Sequence, residues 1–301
     1  MAVIPQYELT QEMIDAAIET HKPLRLLYGV YNVSQTLRIN QCCGLRVVGA
    51  GSFDPTNTGP GWSDLGRAIG TKILWAGGVG GPMFDLTSSM GVEFADCVLD
   101  GSGKATIGLG CWSVNGWPNS ATKLIDVRLQ NFTQAAVQFG TPSNPTGGNC
   151  DLSYFNGVTL SGCPVGIQVC NNQSVGHVWK RIYNVDCKIA MQFVQGGGVS
   201  INGGTQDGNQ DGNTYLQLLN PAGQCNNAIF AVRGVHIESG LLLDASACGE
   251  WSGMGITLDS CIATSGTTAP VIAASTTGWP KIGSINCVFN GREVPASMRV
   301  I

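Results

Sequence analysis

Acidic, amide and hydroxyl residues recur at one position of a short motif along most of the chain. The motif reads apolar, polar, apolar, polar, and then a small or turn residue. Carboxylates repeated in this way could supply the general acid and general base that cleave a glycosidic bond. The second polar position is occupied by Asp100, Gln130, Ser161, Asp186, Glu238, Asp259 and Asn290.

Glu238 and Asp259 are the candidate catalytic pair. They are 21 residues apart, and stacked strands lie about 4.8 Å apart, so successive motifs would make them neighbours. Carboxylates about 5 Å apart fit a retaining glycosidase, and about 9 to 10 Å, across one skipped coil, approaches the inverting separation. His236 projects from the same face, and one acid of such a pair would have a raised pKa. The alternative is that these side chains are solvated or bind turn backbone.

The spacing of the motif predicts a repeat architecture. The second apolar residue recurs every 21 to 31 residues, except for an interval of 52 between Val185 and Ile237 that we interpret as two coils. The alternation within each copy predicts a strand, and a second short strand follows most copies. Units that bury their apolar faces only by stacking predict an all-β parallel β-helix of about ten coils. A leucine-rich repeat is the alternative, but its Leu-x-x-Leu-x-Leu pattern is missing.

The chain is predicted to divide into a capping segment, residues 1–22, and a β-helix, residues 23–301. Thr10 is a candidate N-cap for a short helix that runs through Glu19 and would cover the open end of the solenoid. Stretches rich in Gly, Pro, Asn or Trp predict loop excursions. They lie near residues 53–70, 111–119, 140–149 and 203–213.

Several N-terminal segments follow one another in a characteristic order, namely Ala16-Ala17-Ile18, Pro23-Leu24, Gly29-Val30-Tyr31 and Val47-Val48-Gly49-Ala50-Gly51. This order resembles the opening of pectate-lyase-like right-handed β-helix proteins, phage tailspikes and their enzymatic relatives in particular. The resemblance implies a single-stranded, right-handed parallel β-helix. It does not fix the chemistry, because the family includes lyases, hydrolases and proteins without catalytic activity. The Gly-Asp-Gly-x-x-Asp-Asp-Thr sequence usual in tailspike members is missing before the helix.

Composition argues against several classes of protein. The net charge of −4 and the lack of a Lys/Arg run argue against nucleic-acid binding. No apolar stretch approaches the length needed to span a membrane. The N-terminus has no signal-peptide pattern, so we interpret the twelve cysteines as reduced thiols of a protein made in a cytosol.

Residues 207–213 resemble the first half of a calcium loop. Asp207, Asn209 and Asp211 alternate, and a glycine follows them, which suits a hard cation. The twelfth position is Leu218 instead of Glu, so a polar turn without metal is the alternative. No other cofactor is predicted.

Four tryptophans are candidate glycan-binding residues because they fall in loops or bends. An exposed indole offers a flat apolar face to a sugar ring, although it could equally anchor its own loop or a neighbouring subunit. These residues are Trp112, Trp117, Trp62 and Trp251. Lys180 and Arg181, by contrast, have no evident acidic cluster near them in the sequence.

These features predict a virion-associated, tailspike-like or fibre protein of a phage that binds host surface polysaccharide and could also cleave it. The alternatives are a non-enzymatic capsid or tail decoration protein, and a free polysaccharide lyase or glycoside hydrolase. The expected partners are polysaccharide or other virion proteins, in a homotrimer, without nucleic acid or membrane. The protein would be made in the host cytoplasm and become extracellular on lysis.

Overall fold

The computed structural model describes residues 4–54, 56, 70–114, 116–144, 148–207, 212–220, 229–249, 255–264, 271–274, 281–290 and 299–300. Within these residues the chain is an all-β parallel solenoid of about nine turns with one helix. About ten coils were predicted, so the sequence overestimates the number slightly. No helix in these ranges is long and apolar enough to cross a membrane.

Two long parallel sheets form the walls of the solenoid. The main sheet contains β1 (Gln6–Glu8), β2 (Leu24–Arg25), β3 (Gly29–Val33), β5 (Arg46–Val48), β6 (Thr71–Trp75), β8 (Glu93–Asp100), β11 (Lys123–Gln130), β14 (Tyr154–Ser161), β16 (His177–Asn184), β18 (Val199–Gln206), β20 (Ile229–Ile237), β22 (Gly255–Asp259), β23 (Ile262–Ala263), β25 (Lys281–Ile285) and β26 (Arg299–Val300). The second sheet contains β4 (Leu37–Arg38), β7 (Pro82–Asp85), β9 (Ile107–Cys111), β12 (Ala135–Phe139), β15 (Val165–Val169), β17 (Ile189–Phe193), β19 (Thr214–Leu218), β21 (Leu241–Asp244) and β24 (Ile272–Ala273). A short pair, β10 (Asn119–Ser120) and β13 (Cys150–Asp151), lies apart from both sheets.

Stacked apolar side chains form the core between the two sheets. In the main sheet Leu99, Leu129 and Leu160 occupy the same position on successive coils and are fully buried. In the second sheet Val137 and Ile167 are likewise aligned and buried. Because each strand hydrogen-bonds to the coil before it and the coil after it, the buried columns run along the solenoid.

The register confirms part of the predicted motif alignment and corrects the rest. The interval of 52 residues spans two coils as predicted, since β18 lies between β16 and β20. The predicted alignment is wrong at two positions. The position of Leu160 is occupied on the next coil by Asn184 and not by Val185, and the position of Ile237 is occupied by Ala263 and not by Leu258.

The predicted helix is present as α1 (Gln11–Thr20), with Thr10 at the N-cap position. The Thr10 side chain makes no capping hydrogen bond, although its backbone is extended as an N-cap requires. Ile14 and Ala17 of α1 belong to the hydrophobic core. The segment before α1 also contributes β1, which pairs with β3. That α1 serves as the cap of the solenoid stays a prediction.

The predicted excursions are described to different extents. Most of the excursion at 53–70 lies outside the described residues, as do parts of those at 111–119 and 140–149. The excursion predicted at 203–213 begins too early, because β18 extends through Gln206. A glycine pair, Gly203 and Gly204, lies within that strand, where both residues have positive φ. The prediction of a loop at these two glycines is therefore wrong.

A ladder of glutamines runs along the second sheet. Gln138 Nε2 donates to Gln168 Oε1 at 2.6 Å, Gln168 to Gln192 and Gln192 to Gln217 at 2.7 Å each. Gln217 then donates to Asp244 Oδ2 at 3.0 Å. Strand neighbours of the ladder such as Val137 and Phe139 are in the core, so by alternation the amides lie on the outer face. Each amide therefore satisfies its neighbour on an adjacent coil.

Most of the described cysteines pack as small buried apolar residues. Cys97, Cys187 and Cys261 are fully buried, Cys287 is half-buried, and Cys43 is exposed. All the cysteines in the described residues are free thiols. Burial raises the pKa of Cys97 to about 12, so its thiol stays protonated and inert.

Replacing Leu160 by Asp tests the buried column. Leu160 is fully buried, so the variant would place an unpaired carboxyl in the core and lose about 4 kcal/mol or more of unfolding free energy. The matched control is Leu152→Asp. Leu152 is 58% exposed and has a φ of 57°, a conformation that Asp tolerates well, so the change should stay within about 0.5 kcal/mol. Denaturant unfolding of both variants checks this, and equal stabilities would contradict the register.

Candidate functional site

The predicted stacking of Glu238 on Asp259 is wrong. Asp259 lies opposite Arg233 in the pairing of β22 with β20. Glu238 follows Ile237, whose partner on the next coil is Ala263. The two carboxylates therefore sit five positions apart in the register, and the geometry that suggested a catalytic pair is missing.

Each of the two acids has a charged or polar neighbour other than the second acid. His236 Nδ1 lies 3.9 Å from Glu238 Oε1, so the predicted shared face of this pair is present. Arg233 Nε lies 3.6 Å from Asp259 Oδ2. Both contacts are on the surface, where ion pairs contribute little to stability. A catalytic role of Glu238, Asp259 and His236 stays a prediction without the paired geometry.

Trp117 is exposed in the manner expected of a glycan platform. Its side chain is 63% exposed. The turn that carries it is held by Ser113 Oγ, which donates to the Trp117 carbonyl at 2.6 Å, and by Ser88 Oγ, which donates to the same carbonyl at 3.2 Å. Val114 bridges to Trp117 across the turn. A fixed turn therefore presents an open indole.

Trp112 packs against its own strand instead. A Cβ on Gly110 would lie 2.7 Å from Trp112 Cζ2, so the missing side chain of Gly110 makes room for the indole. Trp112 Nε1 is buried and has no hydrogen-bond partner among the described residues. Of the two interpretations left open by the sequence, the loop-anchoring one fits Trp112. Trp62 and Trp251 lie outside the described residues.

The predicted calcium loop is described only at its edges. Asp207 is exposed, whereas Asn209 and Asp211 lie outside the described residues. No group of three or more His, Cys, Asp or Glu is placed to hold a metal within the described ranges. Calcium binding at 207–213 stays a prediction.

A row of residues with left-handed backbone bends the long strands of the main sheet. The row contains Asp96, Asp126, Gly157 and Arg181, whose φ angles are 53°, 49°, 70° and 51°. Residues on both sides of Asp96 and Asp126 pair with one another, so the two aspartates are neighbours on adjacent coils. Side chains other than Gly, Asn and Asp adopt this conformation at a cost, and such strain collects at functional sites. Arg181 is the strained member of the row.

The guanidinium of Arg181 reaches back across one coil to Asp126. Arg181 Nε donates to Asn156 Oδ1 at 3.0 Å, and Arg181 Nη2 lies 3.3 Å from Asp126 Oδ1. A side chain on Gly157, which lies between them, would collide with Asp126 Oδ1. Gly157 therefore adopts its positive φ without strain, and its missing side chain leaves room for the ion pair that passes over it.

The carboxyl group of Asp96 differs from that of Asp126. Burial and the nearby Asp126 charge raise the pKa of Asp96 above its ordinary value. Asp126, by contrast, forms an ion pair with the guanidinium of Arg181. Neighbouring carboxylates in unlike environments can act as proton donor and acceptor. This row therefore contains two acids on adjacent coils, which is the arrangement predicted for Glu238 and Asp259.

A second charged cluster lies at the end of β8 and is buried. Lys72 Nζ contacts Asp100 Oδ2 at 2.8 Å, Asp54 Oδ2 at 3.0 Å and Thr56 Oγ1 at 3.0 Å. Gln130 Nε2 donates to both carboxylates, at 2.9 Å to Asp100 and 3.1 Å to Asp54. The three protons of the ammonium thus have three acceptors. The cluster attaches the start of the 53–70 excursion to the main sheet.

The electrostatics of this cluster keep all three charges in place. Burial alone would raise the pKa of Asp100 and of Asp54, but hydrogen bonds from Lys72 and its neighbours outweigh burial and lower both pKa values. Burial alone would lower the pKa of Lys72, and the two carboxylates raise it instead. A site with a fully charged and saturated ammonium has no proton to exchange near neutral pH. We therefore interpret it as a structural anchor.

An open groove of about 680 Å³ lies beside the anchor. It follows the turns after β8, β11 and β14, where Ser102, Asn131 and Thr133 provide polar groups. Asn131 Nδ2 and the Ser102 backbone amide both donate to Asp100 Oδ1, at 3.0 Å and 2.8 Å. The anchor therefore also fixes one wall of the groove.

His177 is excluded from surface chemistry by its burial. Its Nδ1 lies 2.7 Å from Ser153 Oγ and its Nε2 lies 3.0 Å from Ser174 Oγ. Burial lowers the pKa of His177 to about 3, so the ring is neutral. It satisfies two serines inside the core, where no polymeric substrate can reach it.

Sequence reasoning missed the bend row and the anchor for different reasons. Asp96 and Asp126 both lie three residues before the second apolar position of their motif copies, so the motif alignment already places them side by side. The sequence does not reveal the ion pair of Arg181, because its acidic partner is 55 residues away in the chain. Asp54 reaches Gln130 across 76 residues from within an excursion, and no local pattern indicates that contact.

Comparisons with known proteins show the same fold at very low sequence identity. No protein-family model matches the chain, and no curated protein matches it by sequence. The chain is similar to the A-module of mannuronan C-5 epimerase AlgE6 from Azotobacter vinelandii, with a TM-score of 0.50 and 12% identity over 92% of this chain and 81% of that one.

Two further solved structures are similar over nearly the whole chain. A tailspike of Acinetobacter baumannii bacteriophage Fri1, described as a capsular polysaccharide depolymerase, gives a TM-score of 0.51 and 11% identity over 99% of this chain and 55% of the tailspike. An alginate lyase from Paenibacillus sp. gives 0.50 and 10% over 98% and 99%. These likenesses confirm the predicted resemblance to right-handed β-helix proteins that include a phage tailspike. The present chain spans just over half the length of that tailspike chain.

Replacing Lys72 by Met tests the structural anchor. The variant leaves two buried carboxylates without their counter-ion and should lose about 3–5 kcal/mol of unfolding free energy near neutral pH. Without the ammonium, burial would raise the pKa of both carboxyls, so protonation would favour the folded state and the loss should shrink as pH falls toward about 4.

The control for the anchor is Arg46→Met. Arg46 forms an ion pair with Glu93 at 2.8 Å, but its side chain is half exposed, so the loss should be about 1 kcal/mol or less. Denaturant unfolding at several pH values measures both variants. Equal losses, or a Lys72→Met loss that does not depend on pH, would contradict the anchor.

Proposed function

We propose that the protein binds polysaccharide on the side wall of its solenoid, as a tailspike-like or fibre protein of a phage virion. The observation that carries the proposal is the exposed indole of Trp117 on a turn held by Ser88 and Ser113. A flat apolar ring on a fixed turn stacks on a sugar without a large loss of conformational freedom.

The polar groups of the bend row are a second candidate contact for a polysaccharide. Asp96 and Asp126 offer carboxylate oxygens to sugar hydroxyls, and Arg181 offers guanidinium donors. Such a row of polar groups suits a polyhydroxylated ligand, in which each ring presents donors and acceptors at short intervals. The three similar structures are named as a capsular polysaccharide depolymerase, an alginate lyase and a mannuronan epimerase, and these names support a polysaccharide as the ligand class.

We propose polysaccharide binding and do not assign its cleavage to Glu238 and Asp259. Their separation in the register removes the argument for a paired acid at that place. Asp96 and Asp126, which are neighbours on adjacent coils, replace them as the candidate acids for cleavage.

A second candidate is a non-enzymatic decoration protein that binds other virion proteins. The observation in its favour is a shallow surface groove lined mainly by apolar side chains, because contiguous exposed apolar surface favours protein contacts over solvent. Its lining includes Val175, Val178, Val199 and the strongly exposed Ile229. In both cases we propose a homotrimer in which side walls meet, in a virion assembled in the host and released by lysis.

Replacing Trp117 by Ala should weaken polysaccharide binding at least tenfold, about 1.4 kcal/mol, because it removes the stacking surface. Affinity electrophoresis in gels containing alginate or bacterial capsular polysaccharide measures the effect. The control is Tyr7→Ala, which removes a similarly exposed aromatic ring from β1, at the N-terminal end of the main sheet and away from the bend row. Unchanged retardation of Trp117→Ala in a gel that retards the parent protein would contradict the proposal.

The native mass in solution tests the proposed assembly. We expect three times the mass of one chain, by light scattering after size-exclusion chromatography. A monomer at high protein concentration would contradict the homotrimer, and it would leave the Trp117 result as an independent test of glycan binding.

A further inference from the structure

Cysteines stack on one another at two places in the solenoid. Cys163 and Cys187 are aligned, because Val165 pairs with Ile189 two residues further on and the Lys188 amide donates to the Cys163 carbonyl at 3.2 Å. The second pair, Cys261 and Cys287, is aligned in the same way. Ile262 bridges to Val288, and the Val288 amide donates to the Cys261 carbonyl at 2.9 Å.

Both pairs have the backbone separation that a disulfide needs. Aligned residues on parallel neighbouring strands are about 4.8 Å apart, within the range of about 4.4–6.8 Å between the Cα atoms of disulfide-bonded cysteines. In each pair the neighbouring thiol also shifts the pKa of its partner, as expected for side chains on the same face of adjacent strands. Formation of a sulfur–sulfur bond therefore needs no change of register.

Access from solvent distinguishes the two pairs. Cys163 and Cys187 are both buried, so a reagent in solution does not reach either sulfur in the folded protein. Cys261 is also fully buried, but Cys287 is half-buried. In the second pair, a small molecule can therefore reach Cys287, and the aligned Cys261 is buried next to it.

We propose that Cys261 and Cys287 form an intramolecular disulfide when the folded protein meets a small-molecule disulfide such as oxidised glutathione. The Cys287 thiolate attacks one sulfur of the reagent, a mixed disulfide forms, and one small-molecule thiolate leaves. Cys261 then gives up its proton and attacks Cys287 Sγ, which releases the second small-molecule thiol. Two protein thiols are oxidised and one reagent disulfide is reduced to two thiols.

The order of these steps follows from the environment of the two sulfurs. Burial raises the pKa of Cys261 to about 12, so its thiol is protonated until the mixed disulfide is held against it. Cys261 Sγ also lies 3.6 Å from the carbonyl oxygens of both Val232 and Asp259, and its single S–H can donate to either, which holds it beside its partner. The product would link the coil of β22 and β23 to the coil of β25 at the C-terminal end of the main sheet.

A peptide map of the oxidised protein tests the proposal. The folded chain is incubated with oxidised glutathione, quenched with acid, alkylated and digested with trypsin without reduction. Cleavage after Arg233, Lys281 and Arg292 places Cys261 in peptide 234–281 and Cys287 in peptide 282–292. We expect these two peptides to be joined and lighter by two hydrogen atoms than the sum of the free thiol forms. Cys248 shares the first peptide, so fragmentation or a Cys248→Ser variant assigns the bond.

The other cysteines serve as internal controls. Cys43 is exposed and its neighbour Cys42 is buried, so we expect Cys43 to carry a glutathione adduct. Cys163 and Cys187 fall in peptides 129–180 and 182–188, and we expect both to remain thiols unless denaturant is present. A stable glutathione adduct on Cys287 without cross-linking, an unreacted Cys287, or equally rapid oxidation of the Cys163 pair would overturn the proposal.

A stability measurement gives a second readout that does not depend on the map. Oxidation should raise the Tm of the parent protein, because a cross-link limits the unfolded chain. Cys287→Ser should show no such rise after the same treatment. A rise of equal size in Cys287→Ser would also overturn the proposal.

Discussion

In-register stacking of coils is the constraint from which the rest of the structure follows. Each strand of the two sheets hydrogen-bonds to the coil before it and the coil after it, so every side chain has like-positioned neighbours about 4.8 Å away on both sides. A residue type that suits one coil must therefore suit a column. Leucines form such a column in the core, left-handed residues form one at the bend, and glutamines form one on the second sheet.

The polar sites on the surface occur where the residue type changes within one of these columns. Gly157 interrupts a line of side chains, and the gap lets Arg181 pair with Asp126 two coils away. Gly110 interrupts another, and Trp112 fills its place. On β6 the departure is a lysine, Lys72, which Asp54 from the excursion and Asp100 at the end of β8 neutralise together. The groove and the bend row thus depend on a few positions at which the repeat is broken.

The sequence predicted the solenoid because period and alternation are local properties that the repeat displays many times. Register is less well encoded. Val185 and Leu258 both fit an apolar position of the motif, yet Asn184 and Ala263 occupy it. Asn184 is accommodated there because its Nδ2 donates to Gln206 Oε1 on the next coil at 3.3 Å. Because Ile237 aligns with Ala263 and not with Leu258, Glu238 and Asp259 are separated in the structure. The partners of Arg181 and Asp54 lie 55 and 76 residues away and depend on how the coils stack, so no local pattern reveals them.

The glutamine ladder has a consequence for how the chain can change in length. Each of Gln168 and Gln192 accepts from the coil before it and donates to the coil after it. A duplicated coil with the same residue would enter between them and leave every amide satisfied, and a deleted coil would do the same. The ladder is thus indifferent to the number of repeats, and only its terminal acceptor, Asp244, marks where it stops. Gene duplication or deletion of whole coils could lengthen or shorten this wall without redesigning it.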